Sequence, residues 1–438
     1  MPTLQKEILS VGEKIRRLRR HHGMSQHEFA EEIRVAKDRV GKIEKDKAGL
    51  TESQMKAMMA LFGIEGLPLT EHDCAVFDAR LQLCSDYISV GNMDAARDIY
   101  KTMSNIDNLK PCDLDLVIRC KIIEVQMLTA EGDYASAGAK LDTVQIHLDE
   151  MSAENQYRYY CYKGYFEIIH NRHINALDFL QKGQILKENH STIVSPKEAW
   201  LYNRIAACYT YLDKPIKAMI YLHKIPLQDL ENRVTTLYLD SMRMLALNYI
   251  RVDELGEAKK LLDKCLIEAE SHLSNEHTRE IMYCYGYMNK KSGDFISAIN
   301  YFDKAIEYSQ EDTDGYYAPL CLKIHCLIQS NIFPKARALL SEVKTICGSN
   351  EVWAIYFKAL EYYLNVSSRM TTPNEEACDY IEEIAIPHFH EMHDHFYAYE
   401  YYALLKHHYE RSRQNRKSSE MTKAMLKTRN RIFANDEE

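Results

Sequence analysis

From residue 75 onward the sequence returns to a small residue about every 40 positions. The markers are Ala96, Ala137, Ala176, Ala218, Ala258, Ala298, Ala336 and Ala377, with steps of 41, 39, 42, 40, 40, 38 and 41 residues. Five residues before seven of them stands a residue that tolerates a tight turn: Gly91, Gly132, Asn171, Asp213, Asp253, Gly293 and Asn331. Four residues after each marker stands a large apolar one: Tyr100, Leu141, Leu180, Leu222, Leu262, Phe302, Leu340 and Ile381. A spacing of four puts the small and the large side chain on one face of a helix. Each unit therefore reads as a helix, a tight turn and a second helix, with the small residue where two helices touch. Such a unit cannot bury its apolar face alone, so the copies must stack.

The clearest unit, YCYGYMNKKSGDFISAINYFDKAIEY (residues 283–308), resembles a tetratricopeptide repeat, with Gly286, Gly293, Phe295, Ala298, Phe302 and Ala305 at consensus positions. The step exceeds the usual period of roughly 34 residues, which longer helices or inter-repeat loops would absorb. The resemblance implies an α-solenoid with a concave binding surface lined by the first helix of each unit.

Residues 11–47, VGEKIRRLRRHHGMSQHEFAEEIRVAKDRVGKIEKDK, carry a different signal. Val11, Ile15 and Leu18 have helical spacing, Gly23 stops that helix, and Ser25 with Glu28 forms a capping box for the next. A short turn, Arg34-Val35-Ala36, leads to a third helix from about Lys37 to Lys45. Two helices joined this tightly make a helix-turn-helix, whose second helix fits the DNA major groove. Lys37, Asp38 and Lys42 stand on the polar face of that helix. Lysine can donate to guanine and aspartate can accept from cytosine. Gln26 can donate to phosphate from a helix N-terminus.

MSQHEFAEEI, VAKDRVGKIEKDK and LTESQMKAMMALFGI resemble the Cro/repressor (Xre-type) DNA-binding domain. Carried over by position, Lys37, Asp38 and Lys42 read bases, Arg39 stands near phosphate and Gln26 clamps the backbone. The turn position usually held by glycine is Arg34 here, a departure that weakens the turn because glycine is favoured at positive φ. Thr51 to Ile64 reads as two short helices closing the head, with a boundary near residues 65–72.

Composition narrows the function. The chain of 438 residues is 46% hydrophobic and has no apolar run near the ~20 residues of a membrane span. The N-terminal MPTLQKEILSVGEK does not read as a secretory signal. Twelve scattered cysteines without a CxxC pair fit buried, reduced thiols in the cytoplasm. The net charge of −9 is unevenly spread: residues 1–66 hold 13 Lys and Arg against 10 Asp and Glu, and residues 406–431 hold 9 against 2. A mildly basic head on an acidic body fits a protein that meets DNA with its head. The basic C-terminal stretch reads as a solvated capping helix.

The expected fold is all-α: a helix-turn-helix domain over 1–68, about eight tetratricopeptide-like repeats over 72–392 forming a right-handed solenoid, and an irregular repeat with a basic capping helix over 393–438. This combination resembles the RRNPP family of Gram-positive bacteria and their phages, the NprR, PlcR and arbitrium-receptor type. The resemblance implies a cytoplasmic homodimeric transcriptional regulator of a double-stranded operator. A short signalling peptide in the solenoid groove would switch DNA binding, in quorum sensing or in phage lysis–lysogeny communication. Side-chain amides can pair with an extended peptide backbone, and arginine can hold a carboxylate. The groove-facing candidates are Arg158, Tyr165, Trp200, Asn203, Thr210, Asp240, Arg243, Tyr283, Tyr287, Lys290 and His325, with Asn203 the leading backbone clamp and Arg243 the leading carboxylate contact. Glu280 shares that face, and Arg204 and Asn248 lie near it.

Two other readings stay open. Some relatives act on a response regulator through a glutamine, for which Gln82 and Gln126 are available; alternatively a protein partner fills the groove. No catalytic residue, cofactor or metal is expected. His388, His390, His393 and His395 in HFHEMHDH lack the HExxH spacing, because Asp394 stands where the second histidine belongs. No phosphate-cradling glycine loop and no GxSxG elbow occurs.

Overall fold

The computed structural model describes residues 11–64, 71–89, 91–101, 114–190, 198–227, 235–272, 275–310, 313–347, 350–368 and 375–433, and these form helices and turns without a strand. The boundary expected near 65–72 falls largely on residues 65–70, outside the described residues. None of the described helices is long and apolar enough to cross a membrane.

The head consists of α1 (Val11–His21), α2 (Gln26–Glu32), α3 (Lys37–Ile43) and α4 (Glu52–Phe62). Ile15, Phe29, Val40, Met58 and Phe62 make its core. The Ser25–Glu28 capping box forms as expected. Gly23 has φ +68° and Arg34 has φ +55°, so an arginine holds the left-handed turn conformation that glycine would take without strain. In place of two short helices over 51–64 there is one. A second capping box, Thr51 with Gln54, opens it and left-handed Gly63 closes it. Met55, Met58, Met59 and Phe62 then keep a single face toward the core, and nothing between them breaks the helix.

The body is a run of helices: α5 (Glu71–Ser89), α6 (Met93–Lys101), α7 (Leu114–Ala130), α8 (Tyr134–Gln145), α9 (Ala153–Ile169), α10 (His173–Asn189), α11 (Glu198–Tyr211), α12 (Pro215–Leu222), α13 (Thr235–Arg251), α14 (Leu255–His272), α15 (Asn275–Ser292), α16 (Phe295–Glu307), α17 (Asp314–Gln329), α18 (Phe333–Ile346) and α19 (Glu351–Ser367). Then come α20 (Glu375–Tyr380), a π-helical turn (Ile381–Ala385), α21 (Ile386–Glu391), α22 (His395–Arg411) and α23 (Asn415–Phe433). All seven turn residues read from the repeat have positive φ, between 52° at Asp213 and 82° at Gly132 and Gly293. All eight marker alanines are at most 1% exposed. A Cβ on Gly286 would lie 2.5 Å from the Phe302 ring, so glycine lets α15 and α16 approach.

The chain divides into two compact units, residues 1–170 with 178–194, and residues 171–177 with 195–438. In the first unit, α5, α7 and α9 pack side by side, tied by a buried bond from Ser85 Oγ to Gln126 Oε1 (2.8 Å). In the second, α11, α13, α15, α17 and α19 do the same, and their partners α12, α14, α16 and α18 cover one side of them. The turn pattern also runs further than the sequence markers suggested, with His393 at φ +61° and Arg413 at φ +58°. Ten free cysteines, from Cys84 to Cys378, are buried among these helices.

Candidate functional site

The head exposes Lys37, Asp38 and Lys42 on α3. Lys42 Nζ lies 3.5 Å from Asp38 Oδ2, an exposed i,i+4 pair of little energetic weight. Beneath that face runs a buried network. Arg19 Nε donates to Glu44 Oε1 at 2.6 Å, and Gln26 Nε2 donates to Glu44 Oε2 at 2.7 Å. Burial alone would raise the Glu44 carboxyl, but these donors hold it below the usual range. Gln26 is thus fixed beside Gly41 of α3, with its amide N–H engaged by Glu44. Arg39 takes another course: half-buried, it donates to the Gly49 carbonyl at 3.3 Å. Gly12 at the start of α1 sits against the Ile43 carbonyl, where a Cβ would lie 2.2 Å away, and its N–H donates to Asp46.

The groove candidates fall in both units. In the first, Arg158 pairs with Glu154 on its own helix at 2.6 Å, and Tyr165 is half-buried. In the second, Asn203 and Asn248 are fully buried between α11 and α13. Asn203 Nδ2 donates to Ser241 Oγ (2.9 Å) and Asn248 Nδ2 to Thr210 Oγ1 (2.8 Å). The carbonyl oxygen of each asparagine side chain has no hydrogen-bond partner. A buried acceptor without a partner costs free energy.

The charged candidates meet one another. Arg243 Nε lies 2.6 Å from Glu280, and His277 lies 3.5 Å from Asp240. Burial opposes the charge on Arg243, yet Glu280 and Asp240 hold its pKa above the ordinary value. Arg204 covers the half-buried Trp200 ring, 5.3 Å from its centroid. Tyr283 and Tyr287 stack at 6.5 Å.

Lys290 and His325 face the start of α22, which lies across the first-helix wall. Lys290 pairs with Glu400, and His325 Nε2 is 3.4 Å from the same carboxylate. Burial, and then Lys290, push His325 down to about 4, so at neutral pH its contact is with a neutral ring. Sequence reading gave Asp213 only a turn role. Its Oδ2 accepts from the Phe396 N–H at 3.1 Å, and Arg251 binds its other oxygen at 3.2 Å while lying 5.5 Å over the Phe396 ring. Asp394, at the N-cap of α22, makes no cap bond of its own and accepts from the Tyr356 hydroxyl instead. Burial, with Asp213 adding to it, pushes Asp394 up to about 8. No pattern at short spacing announces this cluster, because its members lie up to 183 residues apart. The nearby histidines bring His390 Nδ1 to 3.1 Å from His395 Nδ1, and among the described residues no group of three or more His, Cys, Asp or Glu is arranged to hold a metal ion.

An exposed second helix on a helix-turn-helix head, followed by stacked helical hairpins, defines a tetratricopeptide-like protein with a helix-turn-helix head. Residues 15–68 match the family model described as helix-turn-helix. The fold is shared with the apo form of the quorum sensor NprR from B. thuringiensis, at TM-score 0.64 and 16% identity over 81% of this chain and 98% of that one. NprR in complex with its cognate peptide NprX gives TM-score 0.62 and 18% identity over 80% and 99% of the two chains. A Rap protein complexed with competence and sporulation factor gives TM-score 0.68 and 12% identity over 82% and 99%. A search of curated protein sequences finds no match.

Proposed function

We propose that this chain is a cytoplasmic transcriptional regulator whose helical body binds a short signalling peptide and thereby switches the DNA binding of the head. The observation that carries the reading is the pair of buried asparagines on adjacent first helices, Asn203 and Asn248, each with its side-chain oxygen unpartnered. An extended peptide offers backbone N–H groups, which such oxygens would accept once the helices around them part. Sharing a fold with NprR, solved with its cognate peptide, supports the same use. Two heads on one two-fold axis would read two half-sites, so a homodimer belongs to the proposal. Lys37, Asp38 and Lys42 are proposed to read bases, with Gln26 on the backbone.

The test is binding of the full protein to its own promoter DNA, titrated with synthetic peptides encoded by the nearest small open reading frame. A shift in affinity in either direction supports the peptide switch. Tight DNA binding indifferent to every peptide turns the reading toward a protein partner in the groove. Of the two glutamines available for acting on a response regulator, Gln126 is buried and accepts from Ser85, whereas Gln82 is half-buried and donates to Asp86 at 2.8 Å. The likeness to a Rap protein keeps that alternative specific to Gln82.

A further inference from the structure

We infer that the start of α22 is a clasp that closes the second unit on itself and covers the first-helix wall without any ligand. The consequence for a peptide rests on the function proposed above; the closure does not. The geometry has three parts. The first is a borrowed cap. The Phe396 N–H is one of the orphan donors of a helix N-terminus, and a distant carboxylate, Asp213 of the α11–α12 turn, accepts from it. Burial raises the Asp213 carboxyl, while Arg251 on its other oxygen and the N–H groups at the start of α22 pull it back toward the charged form. The second is an aromatic wedge: Phe396 lies under Arg251 at 5.5 Å and under Lys291 at 5.9 Å, joining α13 and α15 to α22. The third is Glu400, one helical turn on, which pairs with Lys290 of α15 and touches His325 of α17.

These contacts span the unit from its first hairpin to its last. The rest of α22 is anchored differently. Ala398, Tyr401 and Leu405 are buried in the core built by α17 to α21, so the helix stays with that side. Tyr397 adds an apolar contact to the Phe302 cluster of α15 to α17, and the ionic contacts that flank it hold only while each charge keeps its partner. Separation of the two sides at this seam would uncover Lys290 and Arg251 together.

Hydrogen exchange of the full-length protein, read by mass spectrometry over residues 395–402 and over α19, tests the clasp with no peptide present. In the wild type the start of α22 exchanges as slowly as α19. Asp213→Asn keeps a side chain suited to a left-handed turn but removes the charge, and Glu400→Lys reverses the other contact. Each raises exchange at 395–402 by about tenfold or more while α19 is unchanged. The double reversal Lys290→Glu/Glu400→Lys returns the rate to near the wild-type value. Fast exchange at 395–402 in the wild type, no change in Asp213→Asn, or no recovery in the double reversal overturns the clasp. The promoter-adjacent synthetic peptides separate the two ideas. Tighter peptide binding by Asp213→Asn than by the wild type supports a clasp that guards the groove, and equal binding overturns that guarding role. Binding by neither protein, with exchange as expected, overturns the peptide reading and leaves the closure supported.

Discussion

The head and the α22 seam solve opposite problems with the same chemistry. In the head, a buried arginine–glutamate pair, Arg19 with Glu44, lies under the exposed face of α3 and holds it in shape. At the seam, the buried ion pairs are themselves the contact between distant parts of the second unit. A buried pair adds little net stability over an apolar pair of the same shape, but losing one partner costs several kcal/mol. The head places that penalty inside a single folding unit of neighbouring helices. The seam places it between elements far apart in sequence, where it governs whether a unit is open or closed. The lesson is that one interaction type acts as a frame when its partners share a core and as a latch when they do not.

Breaking the frame should give the largest effect. Arg19→Ala strands the Glu44 carboxylate and should cost the head about 3–5 kcal/mol, seen as early loss of head structure in thermal unfolding. The latch should show itself in pH. Asp394 holds its proton up to about 8, well above an unfolded aspartate. Its contribution is therefore fully present below about pH 4 and is lost as pH rises toward 8, with a slope of at most about 1.4 kcal/mol per pH unit. Asp394→Asn should flatten that part of the stability profile, measured by denaturant midpoints between pH 5 and 8; an unchanged slope would remove Asp394 from the account. Buried His325, held down to about 4, works in the other direction and is penalised as pH falls below its ordinary range. Gly286→Ala should destabilise the second unit by about 1–3 kcal/mol, because its new methyl meets Phe302. On the exposed side of the head, Lys37→Ala and Lys42→Ala should each weaken specific DNA binding by about 1–3 kcal/mol with unfolding midpoints unchanged. Ser25→Ala is the mildest, removing one helix cap for about 1 kcal/mol of head stability.

Local rules made much of this fold legible. Gly91, Asn171 and Asp253 were readable as turns because few residue types tolerate positive φ, and all three adopt it. The alanine markers were readable because only a small side chain fits where two helices touch, and Ala96 and Ala298 are fully buried there. His393 and Arg413 escaped, since nothing in a histidine or an arginine signals a left-handed turn. Ala398, five residues beyond His393 and fully buried, was the available clue. The exposed residues of α3 could be named from spacing on one short helix. The Asp213–Phe396 contact could not, because spacing carries no information across 183 residues. Arg39 shows the same gap at short range: its helix position was readable, but its turn toward Gly49 depends on the loop it meets.

The buried cysteines have a use that structural description leaves implicit. From Cys84 to Cys378 they are distributed along the body, and burial pushes several thiols, including Cys120, Cys208, Cys265 and Cys326, up to about 12. A thiol-reactive dye attacks the thiolate of an accessible cysteine, so each site is silent until its own helices part. The molecule thus carries a series of natural stopwatches, and the order in which they start would record where the solenoid breathes first.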